Sequence, residues 1–214
     1  MTYTFYTFPK APSPRRAEMV LIEKGVDYDS VVVDLSSGEH LGEAYRAINP
    51  ACTVPALTVE DGKVLTDNAG ILAYLDAMHP ERPLLGSTPA ERAAVASWSA
   101  KVEFEGLLGI AEALRNAAPA MKGRALTGPI SYDQIPELAQ RGVKRVGVFW
   151  EVLNEALEGR DYLATDDFSA ADLVAVVAVD FSKVIKNRPP EAMTNIWRWR
   201  EKLNERPSVT KTTP

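Results

Sequence analysis

The sequence predicts two consecutive units, an α/β unit over residues 1–80 and an all-α helical unit over residues 89–214, joined by a linker at 81–88. Three observations predict this. Short aromatic and β-branched runs alternate with helical patterns at the start of the chain. Strand signals stop near residue 80. The proline-rich stretch HPERPLLGSTP, ending in small polar residues, stands between the two regimes.

The first unit reads in order as follows. Tyr3 to Phe8, YTFYTF, is a strand. In SPRRAEMVLIEKG, Ser13 is an N-cap, Pro14 opens a helix and Gly25 stops it. Ala17, Val20, Leu21 and Ile22 give that helix an apolar stripe. YDSVVVDL follows as a strand, and a strand–helix–strand order implies a parallel pair. Pro55 to Val59 and Lys63 to Thr66 form a hairpin across Glu60-Asp61-Gly62, because Asp-Gly favours such turns. DNAGILAYLDAMHP is a helix starting near Asp67, with Ile71, Leu72 and Leu75 on one face. The order is therefore β-α-β, then β-β-α.

The second unit is helical in pattern throughout. One helix runs from Pro89 into the 110s, and GPISYDQIPE interrupts it with a loop. A second covers Glu137 to Glu158. A third lies in DDFSAADLVAVVAVDFSKVI and is apolar enough to be central and buried. The last spans Glu191 to Glu205 around Trp197. Ser169 and Asp172 stand at capping-box spacing, with Phe168 placed to staple onto Leu173.

Composition narrows the function. The chain has 214 residues, 46% apolar and 25% charged, with a net charge of -5. It offers no basic face for nucleic acid. The single cysteine, Cys52, excludes an internal disulfide and a cysteine zinc cluster. His40 and His79 lack ligand spacing, so no metal is expected. MTYTFYTFPK has no basic segment followed by an apolar one, so no secretion signal is expected. No apolar run approaches roughly 20 residues, the length that spans a membrane. The expected compartment is the cytoplasm.

Three constellations carry chemistry. Thr53-Val54-Pro55 enters a strand; a cis proline there would turn the Val54 N–H and C=O outward, to pair with an extended peptide, while a trans proline would simply open the strand. Asp67-Asn68 opens a helix, whose N–H groups suit a carboxylate while Asp67 suits an ammonium; the plainer role is an N-cap. The turn from Phe8 to Pro14 precedes the first helix, where Ser13 could donate to a thiolate or merely cap. Tyr6 and Thr7 are alternatives, and alternation lets only one face such a site.

NPACTVPAL (Asn49 to Leu57) followed by LTDNAGILAYLD (Leu65 to Asp76) resembles the glutathione-binding signature of the cytosolic glutathione transferases. FSAADL (Phe168 to Leu173) resembles the capping motif of their helical domain, and ERPSV their ending. SSGEHLGEAYRAINP and ALRNAAPAMKGRAL look closest to a bacterial and fungal branch with atypical yeast-type members. The resemblance covers essentially the whole chain. It implies a thioredoxin-like α/β domain holding glutathione and an all-α helical domain supplying a pocket for a hydrophobic electrophile. It implies that Pro55 is cis, that the Val54 backbone, with Thr53 beside it, meets the cysteinyl part of glutathione, and that Asp67 and Asn68 hold the γ-glutamyl end. Family members usually have Glu or Gln then Ser there, so this pair departs from the pattern. His40 matches a position that often reaches the glycyl carboxylate; otherwise it is a solvated loop residue.

The residue that activates the thiol is not in its usual place. Ala11 or Pro12 stands where serine-type members have serine, and Thr7 where tyrosine-type members have tyrosine. Ser13 is the nearest hydroxyl. Arg115 and Asn116 fall where the atypical branch holds an assisting water, which makes Asn116 the second candidate. Cys52 is expected to be a bystander. The resemblance further implies a homodimer. The expected activity is transfer of the glutathione thiolate to an electrophile. A glutathione-dependent disulfide or peroxide reductase, or a non-catalytic glutathione-binding module, are the alternatives.

Overall fold

The computed structural model describes residues 3–9 and 11–213. It divides into two compact units, one of Met1–Arg82, Thr127–Ile130 and Thr210–Pro214, the other of Pro83–Leu126 and Ser131–Val209.

The first unit is built on a four-stranded mixed sheet, the thioredoxin-like arrangement. Its strands are β1 (Tyr3–Thr7), β2 (Tyr28–Val32), β3 (Ala56–Thr58) and β4 (Val64–Leu65), in the order β2-β1-β3-β4. β1 and β2 run parallel; β3 is antiparallel to both β1 and β4. Along β1, Tyr3, Phe5 and Thr7 are buried while Thr4 and Tyr6 are half-buried, the period-two pattern of a strand. The helices are α1 (Pro12–Lys24), α2 (Glu43–Ile48) and α3 (Asn68–Met78). α1 and α3 pack against each other. α2 contributes Tyr45 and Ile48 to a separate cluster with Tyr6, Phe8, Val33, Leu35 and Val54.

Local chemistry accounts for these elements. Gly62 at φ 79° closes the β3–β4 hairpin, donating to the Val59 carbonyl at 2.9 Å. Gly25 ends α1 at φ 65° with N–H bonds back to Ile22 and Leu21. Lys24, wholly enclosed, pairs with Asp76 at 2.7 Å and donates to the His79 and Arg82 carbonyls at 2.9 and 2.6 Å. It thereby fastens the end of α3 to α1. Arg15 donates to the hydroxyls of Thr212 and Thr213, both at 3.3 Å, which ties the C-terminal residues to this unit.

Several sequence expectations shift. α1 starts two residues earlier, with Ala11 at the N-cap and Pro12 at the first helical position, so Ser13 is the second helical residue and not the cap. A proline at that first position, with φ already helical and no N–H to satisfy, accounts for the earlier start. β2 stops at Val32, β3 opens at Ala56 after the proline, and α2 is an element the sequence did not announce.

The second unit is helical, with α4 (Pro89–Lys101), α5 (Leu108–Ala117), α6 (Pro136–Ala156), α7 (Ala170–Phe181) and α8 (Thr194–Lys202); α9 (Pro207–Thr212) closes the chain. A π-helical segment, Val102–Leu107, joins α4 to α5 in one continuous run. α5 and α6 meet at glycines: a Cβ on Gly142 would lie 2.5 Å from the Gly109 carbonyl oxygen, so only glycine permits this approach. α7 is the buried centre, with every residue from Ala170 to Val179 enclosed. At its start Asp172 accepts from Leu163 N at 2.8 Å, Ser169 N and Oγ at 3.1 Å, and Trp199 Nε1 at 2.9 Å. These bonds join the loop before α7 to α8, while burial raises the Asp172 pKa. No helix among the described residues is long and apolar enough to cross a membrane.

Candidate active site at the end of the sheet

The topology brings the three sequence constellations to one end of the sheet. β3 pairs with β4 at Leu57 and Leu65, and with β1 at Ala56 and Tyr6. Continuing both registers outward sets Pro55 beside Asp67 on one side and Thr7 on the other. The N-termini of α1 and α3 open at the same end, because α1 follows β1 and α3 follows β4. Two helix N-termini therefore open toward the Val54–Pro55 segment; α3 presents backbone N–H groups there, while α1, opening with Pro12 and Pro14, offers only that of Ser13 in its first three positions.

The Val54–Pro55 bond is cis. Among the described residues no hydrogen bond engages the Val54 N–H or C=O. The segment before it is held firmly. The Thr53 carbonyl accepts from Tyr45 Oη at 2.6 Å and Asn49 Nδ2 at 2.7 Å, and Asn49 also reaches Thr53 Oγ1 at 3.1 Å. Asn49 Oδ1 accepts from Ala51 N at 3.0 Å, an Asx turn. Tyr45 and Asn49 were not among the sequence-predicted site residues. Asn49-Pro50 is a recognisable turn signal, but nothing in the sequence ties it to Thr53. Burial pushes the Tyr45 hydroxyl up to about 12, so it remains a donor at neutral pH.

Asp67 caps α3, with Oδ1 accepting from Gly70 N at 2.9 Å, and is itself exposed. Asn68 follows at the first helical position; its Oδ1 is enclosed and accepts no hydrogen bond among the described residues. His40 is not a solvated loop residue: it lies in a short 3-10 turn, Glu39–Leu41, and is 6% exposed.

The activation candidates divide. Ser13 is half-buried in the first turn of α1 and accepts from Arg16 Nη2 at 3.2 Å, which leaves its own proton available to donate. Tyr6 faces the α2 side, edge-on to Tyr45 at 6.0 Å. Thr7 is buried on the opposite face, its Oγ1 enclosed and without a partner among the described residues. Asn116 is buried in the helical unit, donating to the Glu112 carbonyl at 3.0 Å and accepting from Ile135 N at 2.9 Å. Arg115 beside it donates to the Arg124 carbonyl at 2.8 Å. Both side chains hold the segment between α5 and α6. Cys52 is 1% exposed, in a left-handed conformation at φ 54°.

Comparison with known proteins bears on the family and the fold. Residues 12–78 match the family model for the glutathione S-transferase N-terminal domain, and residues 118–207 that for the C-terminal domain. Glutathione S-transferase 2 of Saccharomyces cerevisiae is 29% identical over 211 residues, covering 96% of this chain and 87% of that protein. Glutathione S-transferase F9 of Arabidopsis thaliana is 30% identical over 212 residues, covering 95% and 93%. The crystal structure of Gtt2 from Saccharomyces cerevisiae superposes with a TM-score of 0.87 at 28% identity, covering 98% of this chain and 99% of that one. With both domains matched and the similarity running the length of the chain, the protein belongs to the glutathione S-transferase family.

Proposed function

We propose that the protein binds reduced glutathione at this end of the sheet and transfers its thiolate to a small hydrophobic electrophile. The observation that carries the reading is the Val54 backbone, whose N–H and C=O make no hydrogen bond among the described residues, between the openings of two helices. Those groups would pair with the cysteinyl amide of glutathione as a short added strand, with Thr53 and Pro55 shaping the edge. Asp67 would receive the γ-glutamyl ammonium. Asn68 and the α3 N–H groups would receive its carboxylate. His40 would meet the glycyl carboxylate.

The thiol would then lie toward the start of α1. There the helix dipole and the Ser13 hydroxyl would favour the thiolate, with the released proton passing to solvent. The sulfur forms a bond to the electrophilic carbon as that carbon's leaving group departs with its electron pair. Asn116 is the second candidate for assisting the thiol.

The enclosure of Cys52, the chain's one cysteine, supports conjugation over the kind of disulfide reduction that uses a protein thiol beside that of glutathione. We also propose a homodimer. The helical unit leaves Phe104 and Val148 each 60% exposed beside a groove of about 790 Å³, an apolar surface suited to a second copy. Light scattering at micromolar concentration should give twice the chain mass, and a monomer mass would contradict this.

The activity test is turnover of a chlorinated nitroaromatic with reduced glutathione, beside binding of glutathione by calorimetry. Binding with turnover supports the reading. Binding without turnover of any electrophile would make the protein a glutathione-binding module, and failure to bind would remove the site.

A further inference from the structure

We propose that Tyr45 and Asn49 are positioning residues that aim the Val54 N–H at the peptide ligand. The inference rests on the glutathione reading above and extends it to residues that touch no ligand in it.

The Thr53 carbonyl and the Val54 N–H belong to one planar trans peptide group and point in opposite directions. Whatever fixes the carbonyl fixes the donor. A carbonyl oxygen has two lone pairs, and here both are taken from the α2 side, by Tyr45 Oη at 2.6 Å and Asn49 Nδ2 at 2.7 Å. With the oxygen held toward α2, the Val54 N–H faces away from it, and no group of the protein claims it among the described residues.

Each clamp is itself buried. Tyr45 is 4% exposed and packs with Val33 and Val54 in one cluster, and Asn49 is 1% exposed. The Asn49 amide is engaged at both ends: Nδ2 donates to the Thr53 carbonyl and to Thr53 Oγ1, and Oδ1 accepts from Ala51 N. Two independent donors on one oxygen define a direction, where a single donor would leave the peptide plane free to rock. α2 thus has a function that its six residues would not suggest: it carries Tyr45 in its middle and Asn49 at its C-cap, so that both side chains reach the same oxygen.

The test uses Tyr45→Phe, which removes one hydroxyl and keeps the packed ring, and Asn49→Ala, alone and combined, with reduced glutathione as the probe. Calorimetry should show the dissociation constant rising about three- to tenfold in each single variant, the loss of one hydrogen bond's worth of aim. Because both donors act on one carbonyl, the combined effect should depart from the product of the two. The KM for glutathione should rise with the dissociation constant while the KM for the electrophile stays put, a split that a general loss of folded protein would not produce. A dissociation constant equal to wild type in Tyr45→Phe, with only the melting temperature lowered, would overturn the assignment and leave Tyr45 as packing. Wild-type protein that fails to bind glutathione would overturn the underlying reading, and this inference with it.

Discussion

Replacing Asp67 by asparagine separates the cap that the structure shows from the ligand role proposed above for the same carboxylate. Oδ1 caps α3 through Gly70 N at 2.9 Å, while the side chain remains exposed and, in the proposed binding mode, would meet the γ-glutamyl ammonium. Asparagine caps a helix as well as aspartate does, so Asp67→Asn should keep the fold; Asp67→Ala should lose about 1 kcal/mol of stability. A hydrogen bond to a charged group contributes roughly 1.5–3 kcal/mol. Exposure and salt reduce this, so the lower end applies and affinity should fall about tenfold at physiological ionic strength. Thermal unfolding beside calorimetry with reduced glutathione measures both quantities on the same samples. Asp67→Asn should melt near wild type and bind about tenfold more weakly, and lower salt should widen the gap. An Asp67→Asn protein that binds glutathione like wild type would refute the reasoning, and leave Asp67 a cap and nothing more.

Other consequences can be checked alongside. Ser13 is not the N-cap of α1, so Ser13→Ala should change stability by no more than about 0.5 kcal/mol, yet lower turnover tenfold or more and move the rise of activity to higher pH; an unshifted pH–rate profile, with a shifted one in Asn116→Ala, would transfer the role to Asn116. Lys24→Met removes a wholly enclosed ammonium from Asp76 and two carbonyls, and should cost about 3 kcal/mol in urea unfolding; a change under 1 kcal/mol would contradict the pairing. Burial holds Tyr45 near 12 against about 10 in the unfolded chain, so its stabilising share is complete below pH 10 and fades as pH rises toward 12. In an alkaline absorbance titration, the difference between wild type and Tyr45→Phe should be one tyrosine ionising near 12, whereas a step near 10 would contradict its burial.

How much of this was legible in the sequence differs by element. The β3–β4 hairpin was announced by Asp61-Gly62, because few turns tolerate a positive φ without glycine. The start of α3 was announced by Asp67, whose side chain caps it. The long apolar run of α7 could only be central. α2 was missed because six residues are too few for a period, and Gly42 and Pro50 on either side read as loop. That omission hid Tyr45 and Asn49, whose shared target is a backbone carbonyl and so leaves no mark on side-chain patterning. The misplaced cap of α1 has a different cause. Ser-Pro and Ala-Pro both stand before a helical run, and propensity favours serine as the cap, but Pro12 is already compatible with helix and moves the start forward. The site's position followed from strand register, which depends on pairings between distant segments. The sequence could name Pro55 and Asp67 but could not set them side by side.

The most direct test of the account is a crystal structure of the protein with reduced glutathione. The account predicts paired hydrogen bonds between the glutathione cysteinyl amide and the Val54 N–H and C=O, the γ-glutamyl end on Asp67 and Asn68, and the sulfur at the start of α1. Glutathione bound elsewhere, with the Val54 backbone groups unengaged, would contradict it.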